Sequence, residues 1–214
     1  MERISIEDQS SEGSFDIFCM FSIVRQVINS RQMVGQSALS QLPGMSKSIL
    51  QKLKSQGCYN LRQVVMNVKN GTTKGLPARL LNSIKRMPLF SAENMSLSFE
   101  NKVATPHGTL KFDLVLEAGG GETSEGKKRR EGMDDGSFGL TVAIGTQEKN
   151  ILLDQKNIMM FTNRKKSTSR RAITLKFDWN VANAHGGSDS GNIVLRILST
   201  DRRGMDVKYQ IKLK

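Results

Sequence analysis

Val207-Lys208-Tyr209-Gln210-Ile211-Lys212-Leu213-Lys214 alternates an apolar side chain with a polar or basic one at every step. A period of two belongs to a β-strand, whose successive side chains point to opposite faces, so this segment predicts a strand with one wet face. The same alternation runs upstream through Phe138, Leu140, Val142 and Ile144, through Ile173, Leu175 and Phe177, and through Ile193, Leu195 and Ile197. Turn-forming stretches separate the runs: Gly-Thr-Gln-Glu-Lys-Asn at 145–150, Asn-Ala-His-Gly-Gly-Ser-Asp-Ser-Gly at 183–191 and Asp-Arg-Arg-Gly at 201–204. Toward the front, Met95, Leu97 and Phe99 predict a first strand, and Leu110, Phe112, Leu114 and Leu116 a second. Together these runs predict an antiparallel β-sandwich over 93–214, its sheets packed on one side only. Residues 118–136 are glycine-rich and charged, which predicts a flexible loop inserted in it.

Ahead of residue 91 the period is helical, so the chain as a whole reads as α+β: a small helical domain followed by a sandwich. Residues 1–14 have no period and predict a flexible lead, and the helical domain spans 15–90. Phe15 to Ile28 is apolar nearly all round, which predicts a buried helix that something must cover. Ser37 to Leu42 reads as the end of a second helical piece. Then comes Leu42-Pro43-Gly44-Met45-Ser46-Lys47-Ser48-Ile49-Leu50-Gln51-Lys52-Leu53. Pro-Gly makes a tight turn, Ser46 is a good N-cap, and Met45 before the cap can pack on Leu50. The helix that follows buries Ile49, Leu50 and Leu53, leaves Lys47, Lys52 and Lys54 outside, and stops at Gly57. A third helix starts at Asn60 with Leu61, Val64, Val65 and Val68 inward; a fourth follows Pro77 through Leu80, Leu81 and Ile84, and Pro88 ends it.

The net charge of +12 over 214 residues is unevenly placed. Residues 1–30 hold two basic and five acidic side chains, residues 91–214 hold twenty and fifteen, and residues 31–90 hold ten basic and none acidic. Solvated surfaces usually mix signs, so an acid-free block of this length points to a polyanion partner, against the alternative of a merely basic face. Lys127-Lys128-Arg129-Arg130 reads as a nuclear-import or nucleic-acid cluster, or as a solubilising insert. A secondary patch of Arg164, Lys165, Lys166, Arg170 and Arg171 carries the same two readings.

Catalytic chemistry finds little to stand on. The sequence contains no Gly-x-x-x-x-Gly-Lys-Ser/Thr run to cradle a nucleotide's phosphates. His107 and His185 sit in predicted turns, with no cysteine or carboxylate at ligand spacing, so no metal or other cofactor is expected. Asp201 and Asp206 bracket the last hairpin as turn caps, and Trp179 extends the Ile173-Leu175-Phe177 alternation into the sandwich. Cys19 and Cys58 follow no metal spacing and suit a reducing interior. No apolar run is as long as a membrane span.

Leu-Pro-Gly, helix, Gly57-Cys58-Tyr59, helix resembles a helix-hairpin-helix unit over 42–68, with Ser46 where the second hairpin glycine usually stands. Added to the later order, which runs from Leu140-Thr141-Val142-Ala143-Ile144-Gly145 through Ile173-Thr174-Leu175-Lys176-Phe177 to Ser199, Asp201, Gly204 and Asp206, the chain resembles the end of a Sec sixty-three domain. That domain follows the motor cassette of the Ski-two-like superfamily-two helicases, and Gly57 to Phe90 is most similar to the meiotic crossover DNA helicases. The resemblance implies a helix-hairpin-helix piece and a fibronectin-type-III/immunoglobulin-like sandwich. It implies phosphate contact through the backbone of Gly44, Met45 and Ser46, with Lys47, Lys52 and Lys54 around them. The implied role is a non-catalytic nucleic-acid-binding and bracing module in the nucleus, its motor domains elsewhere on a longer chain. Implied partners are single-stranded or branched DNA, with RNA as the alternative, and proteins through the sandwich. The rival role is a protein-interaction scaffold of a spliceosomal-type RNA helicase cassette or a translocon subunit.

Overall fold

The computed structural model describes residues 14–29, 37–100, 107–118, 137–147, 150–161, 168–178 and 193–211. Trp179, His185, the Lys127–Arg130 cluster and residues 119–136 of the expected loop lie outside the described residues. Among the described residues four α-helices are present: α1 (Ser14–Asn29), α2 (Lys47–Ser55), α3 (Leu61–Lys69) and α4 (Ala78–Lys85). Seven strands follow or interleave: β1 (Leu89–Glu100), β2 (His107–Glu117), β3 (Ser137–Thr146), β4 (Leu152–Phe161), β5 (Thr168–Asp178), β6 (Ile193–Ser199) and β7 (Val207–Ile211). They form two antiparallel sheets, β1-β2-β5 and β4-β3-β6-β7.

The alternating residues meet between the sheets. Leu110, Phe112 and Leu114 with Ile173, Leu175 and Phe177 face Leu140, Val142, Ile144, Ile193, Leu195 and Ile197, all buried in one cluster. Sheet-to-sheet bonds close one side: Lys156 of β4 donates to the Thr174 carbonyl of β5, and the Lys176 N–H donates to Asp154 at 3.0 Å. On the other side the Ala92 N–H of β1 donates to the Tyr209 hydroxyl of β7 at 2.9 Å. Leu53, Leu61, Val64, Val65, Leu80 and Ile84 of the helices belong to the same buried cluster, so the core runs without a break from α2–α4 into the sandwich.

Several sequence expectations change. The first strand starts earlier than its alternation suggests, and its buried part is Leu89, Phe90 and Ala92. A register shift between Glu93 and Ser96, with Asn94 at φ 52°, then turns Met95 and Phe99 out to solvent. Such a bulge bends an edge strand away from further pairing. His107 opens β2 and is not in a turn. The four-stranded sheet is not packed on one side only, because α1 crosses its outer face and buries Ala143, Val194 and Leu198 under Phe15 and Cys19. Nor is α1 buried all round: its far side leaves Ile17, Met20, Phe21, Ile23, Val24 and Ile28 exposed.

The β6–β7 connection is where the pieces join. Asp206 accepts from the Ser199 N–H at 3.0 Å and from the Gln26 amide of α1 at 2.9 Å. The Ser199 hydroxyl accepts from the N–H groups of Asp201 and Arg202. Gln26 also donates to the Ser199 carbonyl at 2.7 Å, and Asn29 to that of Thr200 at 2.8 Å. Gln41 donates to the Arg203 carbonyl at 2.6 Å, and the Arg62 N–H, in the first turn of α3, donates to the Gly204 carbonyl at 2.9 Å. Gly204 has φ 79° and sits against Ala38 and the Leu61 nitrogen, where an added Cβ would lie 3.0 and 3.2 Å away.

Gly204→Ala is therefore expected to cost roughly 1–3 kcal/mol, from a left-handed backbone combined with a blocked approach, read as a lowered urea midpoint. Burial pushes the Asp206 carboxyl above its ordinary 3.8, against the opposing pull of the Ser199 and Gln26 hydrogen bonds. The folded state thus holds this proton to higher pH than the unfolded chain does, and stability falls as pH rises from the ordinary value through the raised one. Asp206→Asn keeps an oxygen acceptor and should flatten that fall in denaturant titrations run upward in pH from the ordinary carboxylate range.

Candidate nucleic-acid interface

The hairpin ahead of α2 is built by backbone preference. Pro43 fixes its own φ, Gly44 takes φ 81°, and the Met45 N–H closes the turn onto the Leu42 carbonyl at 3.2 Å. A Cβ on Gly44 would meet nothing, so the glycine is demanded by the turn and not by crowding. Ser46 is extended, at φ −93° and ψ 163°, and its hydroxyl accepts from the Ile49 N–H at 3.3 Å as the cap of α2. In the first turn of a helix the leading N–H groups have no intrahelical carbonyl to reach, which leaves those of Lys47 and Ser48 pointing outward. On the near side, residues 38–41 form a single 3-10 turn, Ala38–Gln41, capped by Ser37, where the sequence suggested the end of a longer helix.

This geometry sorts the residues named from sequence. Gly44 and Ser46 are exposed at the hairpin. Met45 is half-buried against the core with its N–H committed to the turn, so it is not a free phosphate donor. Lys47, Lys52 and Lys54 are all exposed. Lys47 and Lys54 are seven residues apart and share one stripe of α2, whereas Lys52 lies roughly 140° round the helix from Lys47. Lys52 there donates to the Gly75 carbonyl at 3.3 Å, and Gln56 donates to that of Lys74 at 3.4 Å. The α3–α4 loop is thus tied to the back of α2, and it brings the exposed Lys74, which sequence motifs did not single out, to the same rim. The only signal for Lys74 was the acid-free count of its block.

Two further cations from that block are drawn inward. Arg62 donates to the Phe90 carbonyl at 2.7 Å and sits 5.7 Å from the centre of that ring. With Lys69 and Glu117 it lines a cleft of about 270 Å³ between α3 and the β1–β2 end of the sandwich. Burial pushes both the Arg62 and Lys69 side chains down from their ordinary values, opposed by the Glu117 charge. These two serve the helix–sandwich joint more than an outer surface.

The secondary patch is split. Arg164, Lys165 and Lys166 lie outside the described residues. Arg170 and Arg171 are neighbours in β5 and face opposite sides of the sheet. Arg170 pairs with Glu93 at 3.0 Å, and Arg171 donates to the Met159 carbonyl at 3.3 Å. Among the described residues no group of three or more His, Cys, Asp or Glu is placed to hold a metal, and no helix is long and apolar enough to cross a membrane.

No family model matches this sequence, and no curated protein matches it. Among solved structures, two crystal structures of a glycosyl hydrolase family 2 member from Bacteroides cellulosilyticus are similar to it, one of them from strain DSM 14838. Both show 12% identity and a TM-score of 0.35 over 58% of this chain. The matched region spans only 14% and 15% of those chains.

The cap predicts a measurable hierarchy. Ser46→Ala should lower stability by about 1 kcal/mol and Ser46→Gly by only a few tenths, because glycine leaves the helix start open to water. Equilibrium unfolding of the two variants side by side checks this.

Proposed function

We propose that this chain is a non-catalytic nucleic-acid-binding and bracing module, of the kind found at the end of a Sec sixty-three domain in an ATP-dependent DNA helicase of the meiotic crossover type. Its ligand is single-stranded or branched DNA in the nucleus, and the motor belongs to residues outside this chain. The observation that carries this reading is the α2 hairpin. Lys47 and Lys54 on one stripe, Lys52 and Lys74 behind, and the outward N–H groups of the first turn all sit in a sixty-residue stretch without a carboxylate. Such a surface favours a phosphate backbone by releasing its counterions, and phosphate contacts carry no base sequence information.

The remaining architecture supports the bracing half of the proposal. A sandwich dividing its strands as β1-β2-β5 and β4-β3-β6-β7 suits a fibronectin-type-III-like domain. Ser199, Asp201, Gly204 and Asp206, the residues that carry the resemblance, build the loop on which α1, the 3-10 turn and α3 are fastened. A strand held at the hairpin is therefore held by a unit with one shared core.

The test is a salt titration of binding to labelled single-stranded and forked DNA, with RNA of the same sequence alongside. Binding should weaken steeply with salt and vary little with sequence. Lys47→Glu with Lys54→Glu should reduce affinity by about tenfold or more, and Lys52→Glu alone by less, since Lys52 already reaches the Gly75 carbonyl. Salt-independent affinity, or binding untouched by all three reversals, would sink the proposal. A preference for RNA would move the module to an RNA helicase.

A further inference from the structure

α1 lies on the sandwich without joining its core. The large buried cluster that runs from α2–α4 through both sheets contains no residue of α1. The helix has a small cluster of its own, in which Phe15 and Cys19 cover Ala143, Val194 and Leu198. Six other apolar side chains of α1, Ile17, Met20, Phe21, Ile23, Val24 and Ile28, are exposed with the helix in place. Lifting α1 off the sheet therefore uncovers little new apolar surface, and hydrophobic stabilisation scales with the area removed from water.

Polar clips hold its two ends. At the start, the N–H groups of Phe15 and Asp16 donate to the backbone and side-chain carbonyls of Asn150, at 3.0 and 2.8 Å. At the far end stand the Gln26 and Asn29 bonds to the β6–β7 loop. Each such bond contributes little net, because water replaces it when the partners separate. Between the clips, docking carries a cost. Arg196 of β6, between Val194 and Leu198 on the covered face, lies 5.4 Å from the centre of the Phe15 ring and 3.7 Å from the Asp16 carboxylate. Its Nε is buried and, among the described residues, has no hydrogen-bond partner. Water would satisfy that donor once the helix moved away.

We propose that α1 is a releasable strap: it leaves the outer face of β3 and β6 as one unit while the sandwich and α2–α4 stay folded. The released state is a second conformation of the chain, with Cys19 exposed and Ala143, Val194 and Leu198 bare. The two buried thiols report on the two bodies separately, since Cys19 belongs to the strap's cluster and Cys58 to the main one. This device goes beyond the nucleic-acid reading, which rests on α2.

The test is labelling of the full chain with iodoacetamide at rising urea, below its unfolding transition, with peptide mass spectrometry to tell Cys19 from Cys58. Urea promotes an opening in proportion to the surface it exposes, so strap release and global unfolding differ in slope. Cys19 should label about tenfold or more faster than the globally unfolded fraction allows, with a finite urea slope no more than about a third of that of equilibrium unfolding. Ile173→Val, in the main cluster, should raise the unfolded fraction about fivefold and leave Cys19 labelling unchanged. The chain alkylated at Cys19 alone should still unfold in one cooperative transition, since its main core is intact. A Cys19 slope equal to the global one overturns the proposal, as does Cys19 labelling that speeds up with Ile173→Val by the same factor as unfolding, because the helix then leaves only when everything unfolds. A slope of zero overturns it as well, because the thiol is then reached without the helix leaving.

Discussion

A buried carboxylate in the last hairpin holds the molecule together. Asp206 accepts hydrogen bonds from Ser199 at the end of β6 and from Gln26 of α1, 180 residues away in sequence, and burial alone would make that position costly for a charge. Around it the carbonyls of Ser199 and Thr200 are taken by α1, that of Arg203 by the 3-10 turn and that of Gly204 by α3. A short loop between two strands thus satisfies polar groups from three directions. The helices need not supply a separate core, because their apolar faces join that of the sandwich.

This arrangement explains why the basic hairpin can stay free of structural duties. The joint between helices and sandwich is made by α3 and the 3-10 turn, with Arg62 and Lys69 lying close to Glu117. α2 contributes Leu53 to the core, with Ile49 and Leu50 packed against it, and keeps the Lys47–Lys54 stripe exposed. A surface that neither packs nor pairs is available for a ligand, and its sign is set by a block that lacks acids.

The strands other than β4, the Pro-Gly turn, the Ser46 cap and the three helices that follow were legible because each rests on local chemistry: alternation, a fixed φ or a capping hydroxyl. What sequence could not show was which face of an element meets which neighbour. The all-round apolar run at Phe15–Ile28 looks the same whether it is enclosed or laid on a sheet, and Ala143, Val194 and Leu198 break a simple in–out alternation only because α1 covers them. The early start of β1 was hidden behind the helix-ending Pro88. On the interface, the basic block was visible as composition, but the separation of Lys52 from Lys47 and Lys54, and the use of the Met45 N–H within the turn, depend on geometry that composition does not carry.

The fastening of α1 to the β6–β7 loop also sets an order of events during synthesis. Gln26 leaves the ribosome before the residues that bind it, and at about 5–20 residues per second the wait is roughly ten to forty seconds. Over that interval the helix lacks β6, which supplies Val194 and Leu198 beneath it. The nascent chain therefore passes through an interval in which α1 lacks the polar loop that fastens Gln26 in the folded protein.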